Sequence, residues 1–131
     1  MKLLLDTHIA FWLASDRQKL TAQEWALLQN PDVDLFLSAV GIWELRLKWS
    51  RLHPSGVPKG PISPLSALAV FTQLKLPIIP LMPEIAAAPL NQPMPHKDPF
   101  DELLLVHAQE LDMRLFTRDG KLKDHPLAIA A

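Results

Sequence analysis

A chain of 131 residues, 49% of them hydrophobic, is long enough for one domain with a real core, and nothing in it reads as a long disordered tract. Cysteine is absent, which removes disulfides, a thiolate nucleophile and thiolate-bound zinc and suits a reducing, cytoplasmic setting. The formal net charge of -1 hides an uneven distribution, because from Leu45 to Pro83 there is no Asp or Glu, while Arg46, Lys48, Arg51, Lys59 and Lys75 all fall there.

Leu3-Leu4-Leu5 is an uninterrupted apolar run that stops at Asp6, the pattern of a strand buried on both faces of a parallel sheet. Asp6 then stands at the carboxyl end of that strand, where open α/β sheets bind their ligands. The plainer alternative is that Asp6 caps the helix predicted over His8 to Ala14. Ile9, Trp12 and Leu13 share a face of that helix, and Ser15-Asp16 ends it. Thr21-Ala22-Gln23-Glu24 reads as a capping box for a helix with Ala22, Trp25 and Leu28 or Ala26 facing inward, stopped by Asn30-Pro31.

Leu35-Phe36-Leu37 is a second buried strand, and Ser38 is placed to cap the helix that carries Ile42, Trp43, Glu44, Leu45, Leu47 and Lys48. Glu44 and Lys48 have the i, i+4 spacing of a surface pair. The apolar neighbours Ile42, Trp43 and Leu45 instead direct Glu44 toward a partly enclosed cleft. Arg51 to Pro64 is a loop rich in proline and glycine. Ser63-Pro64 then starts a helix through Leu65, Leu68, Ala69, Phe71 and Leu74. Pro77 to Pro80 holds a short strand, Pro83 to Ala88 one or two helical turns, and Pro89 to Pro95 a further loop. No apolar stretch approaches the roughly 18 residues of a membrane span, so a soluble protein is expected.

The last third is the most informative. Asp98-Pro99 is an N-cap and N1 pair, which sets Asp101 in the first helical turn. Leu104, Leu105 and Ala108 follow it at i+3, i+4 and i+7, so Asp101 heads the stripe that faces the core. Leu115-Phe116-Thr117 is a strand ending near Asp119, repeating the arrangement of Leu3 to Asp6. Two strands ending in acids and two helices carrying them can bring Asp6, Glu44, Asp101 and Asp119 to one sheet edge. Carboxylates so gathered repel by several kcal/mol in a partly dry cleft, which hard divalent cations relieve.

Taken together, Leu4-Leu5-Asp6-Thr7-His8, Ser38-Ala39-Val40 with Trp43-Glu44 and Lys48, His96 with Asp98-Pro99-Phe100-Asp101, and Thr117-Arg118-Asp119 resemble the PIN domain. More narrowly, they resemble the ribonuclease toxins of VapBC-type toxin–antitoxin systems, over nearly the whole chain. The resemblance implies one PIN-like domain over residues 1–131, a three-layer α/β/α fold with a central, mostly parallel sheet. It also implies an Mg²⁺- or Mn²⁺-dependent endoribonuclease hydrolysing RNA phosphodiester bonds, the toxin of a type II pair held inactive by a cognate antitoxin. The catalytic and metal-binding acids carried over are Asp6, Glu44, Asp101 and Asp119, with Asp6 central. Thr7, Asp98 and Thr117 are expected to orient them. Arg46, Lys48 and Arg51 are the expected RNA or antitoxin contacts. A cytoplasmic homodimer without membrane contact is expected, with an antitoxin peptide near Trp12 or Trp49.

Two positions depart from the family pattern: Glu102 stands where Arg is expected, and Gly41 where a better helix former is expected. His8, His96 and His107 are read as structural hydrogen-bonders. Competing classes fare worse on the residues. An aspartyl-phosphatase would want a second Asp at position 8, and a dinucleotide-binding enzyme a glycine-rich turn after the first strand, whereas no glycine precedes Gly41. A PIN-like binding module without turnover is the remaining alternative.

Overall fold

The computed structural model describes residues 1–52 and 62–131. In chain order the elements are β1 (Lys2–Leu5), α1 (Thr7–Ser15), a 3-10 turn (Arg17–Lys19), α2 (Ala22–Gln29), β2 (Asp34–Ser38), α3 (Ala39–Leu52), α4 (Pro64–Gln73), β3 (Ile78–Ile79), α5 (Pro83–Ala87), α6 (Pro99–Leu111), β4 (Arg114–Phe116) and β5 (Ala128–Ile129). Leu3, Leu4 and Leu5 have no exposed surface, which requires protein on both faces of their strand. The sheet supplies it: the order is β3-β2-β1-β4-β5, with β1 at the centre and every pairing parallel.

Alternation along β1 divides the core between two layers. Leu3 and Leu5 point to the side built by Ile9, Ala10 and Leu13 of α1 and Ala67 and Phe71 of α4. Leu4 points to the other side, with Leu104, Leu105 and Ala108 of α6. Leu115 and Phe116 of β4 repeat the split, one to each cluster. The result is the expected three-layer α/β/α arrangement. Because all strands run the same way, the residues following β1, β2 and β4 gather at one edge, and Leu5 opposite Phe116 brings Asp6 beside Thr117.

The helix starts follow the local chemistry. Thr21 and Glu24 form the reciprocal capping box, Ser63 accepts the Ser66 N–H ahead of Pro64, and Ser38 Oγ accepts the Val40 N–H at 3.0 Å. The inward face of α2 differs from the sequence reading: Leu28 is buried and Trp25 half-buried, but Ala22 and Ala26 are exposed and Glu24 is buried. A charged partner from elsewhere in the fold, described below, explains that reversal. In α4 the buried residues are Ala67 and Phe71, while Leu65 is 80% exposed. Neither the 3-10 turn nor β5 was expected, since three and two residues are too short for any periodicity to show. Of the loop expected between Arg51 and Pro64, residues 53–61, which include Lys59, lie outside the described residues. No helix among the described residues is long and apolar enough to cross a membrane.

Phe71 is fully enclosed between α1, α4 and the sheet. Phe71→Ala should lower the unfolding free energy by about 3–5 kcal/mol in a urea titration, and a loss below about 1 kcal/mol would place this ring outside the core.

Candidate active site

Asp6 follows directly from β1, its N–H continuing the sheet by donating to the Phe116 carbonyl at 2.9 Å. It occupies the N-cap position of α1, yet its side chain makes no capping bond. Instead Oδ2 accepts the Thr117 hydroxyl at 2.7 Å, and the carboxylate is buried. The capping alternative is therefore excluded by geometry. Thr117 Oγ1 also accepts the Asp119 N–H at 3.0 Å, so one hydroxyl ties Asp6 to the turn that carries Asp119.

Glu44 is brought in from α3 and is 6% exposed. Its Oε1 accepts the Thr7 hydroxyl at 2.7 Å, and Lys48 Nζ lies 2.8 Å from Oε2. The i, i+4 pair exists, but with a buried carboxylate and not as a solvated surface contact. Gly41 now has a physical reason. A Cβ there would stand 3.3 Å from Thr7 Oγ1 and 3.5 Å from Leu37 Cδ1, so a larger residue would crowd the hydroxyl that holds Glu44.

At the start of α6, Asp98 Oδ1 accepts the N–H groups of Phe100 at 2.9 Å and Asp101 at 3.2 Å, ahead of Pro99. Asp101 is buried as its place on the apolar stripe implies. His96 Nε2 lies 3.1 Å from Asp101 Oδ2. His96, Asp98 and Asp101 offer ligand atoms all within 4.8 Å of one another. Trp43 packs edge-on to Phe100 with ring centroids 5.3 Å apart, joining α3 to this helix start. Asp119 is half-buried, and its Oδ1 accepts the Lys121 N–H at 2.9 Å. With Asp6 it lines a pocket of about 250 Å³.

The acids feel one another's charge. Burial raises the Asp101 carboxyl to about 6, helped by the charges of Asp98, Asp6 and Glu44 and opposed by the His96 bond. Asp6 is also raised by burial, with Glu44 adding to it, while the Thr117 bond, the His8 charge and the Thr7 N–H pull the other way. Dry carboxylates that resist ionisation fit a hard divalent cation, whose charge would relieve their mutual repulsion; among the described residues the ligand atoms that converge within 4.8 Å are those of His96, Asp98 and Asp101, two carboxylates and one imidazole.

The remaining expected residues are distributed unevenly. Lys48 is engaged by Glu44. Arg46 and Arg51 are exposed, and Arg46 lines an apolar groove of about 530 Å³ with Trp43, Trp49 and Leu65, whose lining includes none of the acids. His107 is buried with Nδ1 2.9 Å from Ser38 Oγ, and burial keeps its imidazole below the ordinary value, a structural role as read. His96 is not merely structural in position, since it bonds an acid of the cluster. Glu102 is exposed.

Sequence reasoning missed Arg118. Its Nε donates to Glu24 Oε2 at 2.9 Å and its Nη2 to the Lys19 carbonyl at 2.6 Å, with a second Nη2 bond to Glu24 Oε1. The guanidinium also lies 4.2 Å from the centroid of the Trp12 ring. These contacts fasten the turn between Thr117 and Asp119 to α2, and they explain why Glu24 is buried. The signal was available only as a cation next to two expected site residues.

The residue pattern and the sheet edge agree with the comparisons. A sequence model of the PIN domain matches residues 3–126, and the chain belongs to that family. It is 28% identical to ribonuclease VapC22 of Mycobacterium tuberculosis over 124 residues, covering 93% of this chain and 90% of that protein. Its fold is similar to the VapBC2 structure of Rickettsia felis bound to a promoter DNA fragment, with a TM-score of 0.69, 19% identity and coverage of 100% of this chain and 98% of that one. It is also similar to a toxin–antitoxin complex from Klebsiella pneumoniae, with a TM-score of 0.62, 22% identity and coverage of 97% and 95%.

Two outcomes follow for the site's supports. Arg118 holds the Glu24 carboxyl below its ordinary value of 4.5, so Glu24 contributes stability that is complete above that value and is lost as pH falls through the depressed one. The stability difference between the unaltered chain and Glu24→Gln should accordingly be largest near pH 7 and vanish in acid, as thermal unfolding across pH will show. A helical Gly→Ala change ordinarily stabilises by up to about 1 kcal/mol, but Gly41→Ala should show no gain in melting temperature. A clear rise would mean that Thr7 is not crowded.

Proposed function

We propose that this chain is a divalent-metal-dependent endoribonuclease, the toxin of a type II toxin–antitoxin pair, with Asp6, Glu44, Asp101 and Asp119 as its working acids. The observation that carries the reading is the burial of Asp6, Glu44 and Asp101 within one another's electrostatic reach at the carboxyl edge of the sheet, in a PIN-family chain similar to a ribonuclease. The ion is Mg²⁺ or Mn²⁺, in keeping with oxygen donors. When bound, it supplies an activated water and neutralises charge on the phosphate and on the leaving oxygen.

The chain's own residues set the stage for that chemistry. Thr117 holds one oxygen of Asp6 and His96 one oxygen of Asp101, which fixes how each carboxylate is set in the site. Glu44, held at one oxygen by Thr7 and at the other by Lys48, is suited to positioning the water that attacks phosphorus as the bond to the leaving sugar oxygen breaks. Asp119 completes the set from the β4 turn, and Asp98 serves by fixing the first turn of α6 that presents Asp101. Arg46, Lys48 and Arg51 contribute as RNA or antitoxin contacts, with Lys48 restricted by its bond to Glu44.

The same reading makes the chain one PIN-like unit working in the cytoplasm, paired with a second copy and bound by a cognate antitoxin. The structural relatives are toxin–antitoxin complexes, and Trp43, 47% exposed beside the groove that Trp49 also lines, gives such a partner an aromatic anchor. Light scattering should show a mass twice that of one chain at micromolar concentration; a monomer at every concentration removes the homodimer.

Cleavage of RNA should require added Mg²⁺ or Mn²⁺, and Asp6→Asn and Asp101→Asn should each lose most of the activity while retaining the circular dichroism of the fold. Unaltered cleavage by Asp101→Asn would overturn the site assignment. Because Asp101 is raised to about 6, protons should compete with the cation below that pH, and divalent-ion affinity measured by calorimetry should weaken as pH falls from 7 to 5. A flat profile would remove Asp101 from the ligand set.

A further inference from the structure

The pocket of about 250 Å³ beside the acids is lined by Asp6, His8, Ile9, Trp12, Arg118 and Asp119, and its chemistry is divided. Asp6 and Asp119 belong to the cluster that the proposed function uses on phosphate. The remainder is ring and guanidinium. His8 is exposed, and its ring stands 5.9 Å from that of Trp12 at a tilt of 34°. The two are four residues apart on α1, so they lie one above the other on the same helix side. Ile9, Ala10 and Leu13 take the core side of that helix, leaving His8 and the half-buried Trp12 toward the acids.

The wall is stiff. Arg118 covers Trp12 at 4.2 Å and is anchored through Nε and Nη2 to Glu24 and the Lys19 carbonyl. Those bonds do not use Nη1, which is a donor in hand for a group entering the pocket. Aromatic and guanidinium planes of this kind stack unpaired nucleobases, whose faces are available only where a strand is not in duplex. A base set against this wall would leave its phosphate directed to Asp6 and Asp119.

We infer that the pocket between α1 and the β4 turn receives one unpaired nucleobase next to the scissile phosphate, with the exposed His8 ring as the stacking face, Trp12 supporting the Arg118 guanidinium, and Arg118 Nη1 donating to the base edge. The inference rests on the ribonuclease reading and adds to it which part of the substrate the enzyme holds. His8 and Arg118 are base-binding residues here, with no part in bond cleavage, and Trp12 backs the guanidinium. Single-stranded RNA is the substrate form that fits, since a duplex keeps its bases paired and stacked away from such a wall.

The test is a cycle between protein and substrate. A single-stranded RNA whose cleavage position has been mapped is prepared with an abasic nucleotide at each position flanking the scissile bond. kcat/KM is then compared for the unaltered chain, His8→Ala and His8→Phe, with Mg²⁺ present. One abasic position should lower kcat/KM of the unaltered chain roughly ten-fold. His8→Ala should lose a similar factor on intact RNA and almost nothing further on that abasic RNA, while His8→Phe, which restores a ring without the charge, should recover most of the loss. His8 is exposed, so its variants are expected to fold, which circular dichroism will check. If RNA is cleaved but abasic substitution at every flanking position is harmless, or if the two losses simply add, the pocket holds no base while the ribonuclease reading stands. Failure of His8→Phe to recover activity would equally overturn stacking, pointing to the His8 charge near Asp6. Absence of cleavage of any RNA by the unaltered chain would remove the ribonuclease reading and this inference together.

Discussion

The bond from Thr117 Oγ1 to Asp6 Oδ2 is the contact on which the site depends. It joins residues at opposite ends of the chain, and it exists because β1 and β4 pair in parallel with Leu5 opposite Phe116. A buried carboxylate without a donor would cost several kcal/mol or take up a proton. Thr117 meets that demand, and by accepting the Asp119 N–H with the same oxygen it also sets the turn that follows. Sheet pairing, acid orientation and loop shape are thus one structure.

The same solution recurs at other acids of the site, with a different donor each time. Glu44 has Thr7 and Lys48, Asp101 has His96, and the capping carboxylate of Asp98 has two backbone N–H groups. None of these partners satisfies every lone pair, and the Asp101 carboxyl remains raised to about 6. Like charges at close range are therefore held in place but not neutralised. That residual electrostatic demand is the property a divalent cation answers, and it makes the protein's stability and its proposed chemistry two sides of one arrangement.

A second layer of support comes from outside the acids. Arg118 reaches from the β4 turn to Glu24, to the Lys19 carbonyl and over Trp12, so α1, the 3-10 turn and α2 are fastened to the segment bearing Asp119. Gly41 does comparable work by omission, letting α3 approach Thr7 closely enough for Glu44 to accept its hydroxyl. Gly41 acts through backbone placement, and Arg118 both fastens the turn and lines the pocket that Asp6 and Asp119 share.

Much of this was legible in the residues themselves. The run Leu3 to Leu5 demanded a strand covered on both faces, the Asp98-Pro99 pair set the phase of α6, and that phase made Asp101 a buried acid, because burial of a helix or strand follows from short-range periodicity. The family resemblance supplied the grouping of the acids. Only the tertiary structure decided which donors hold each acid, that Asp6 does not cap α1, that Glu44 beside Lys48 is buried, and that Glu24 on an outwardly ordinary helix is buried by Arg118. The Thr7–Glu44, Thr117–Asp6 and Arg118–Glu24 contacts join residues 37 to 111 positions apart, where pairing register and helix approach choose the partner, and no local pattern in the chain encodes that choice.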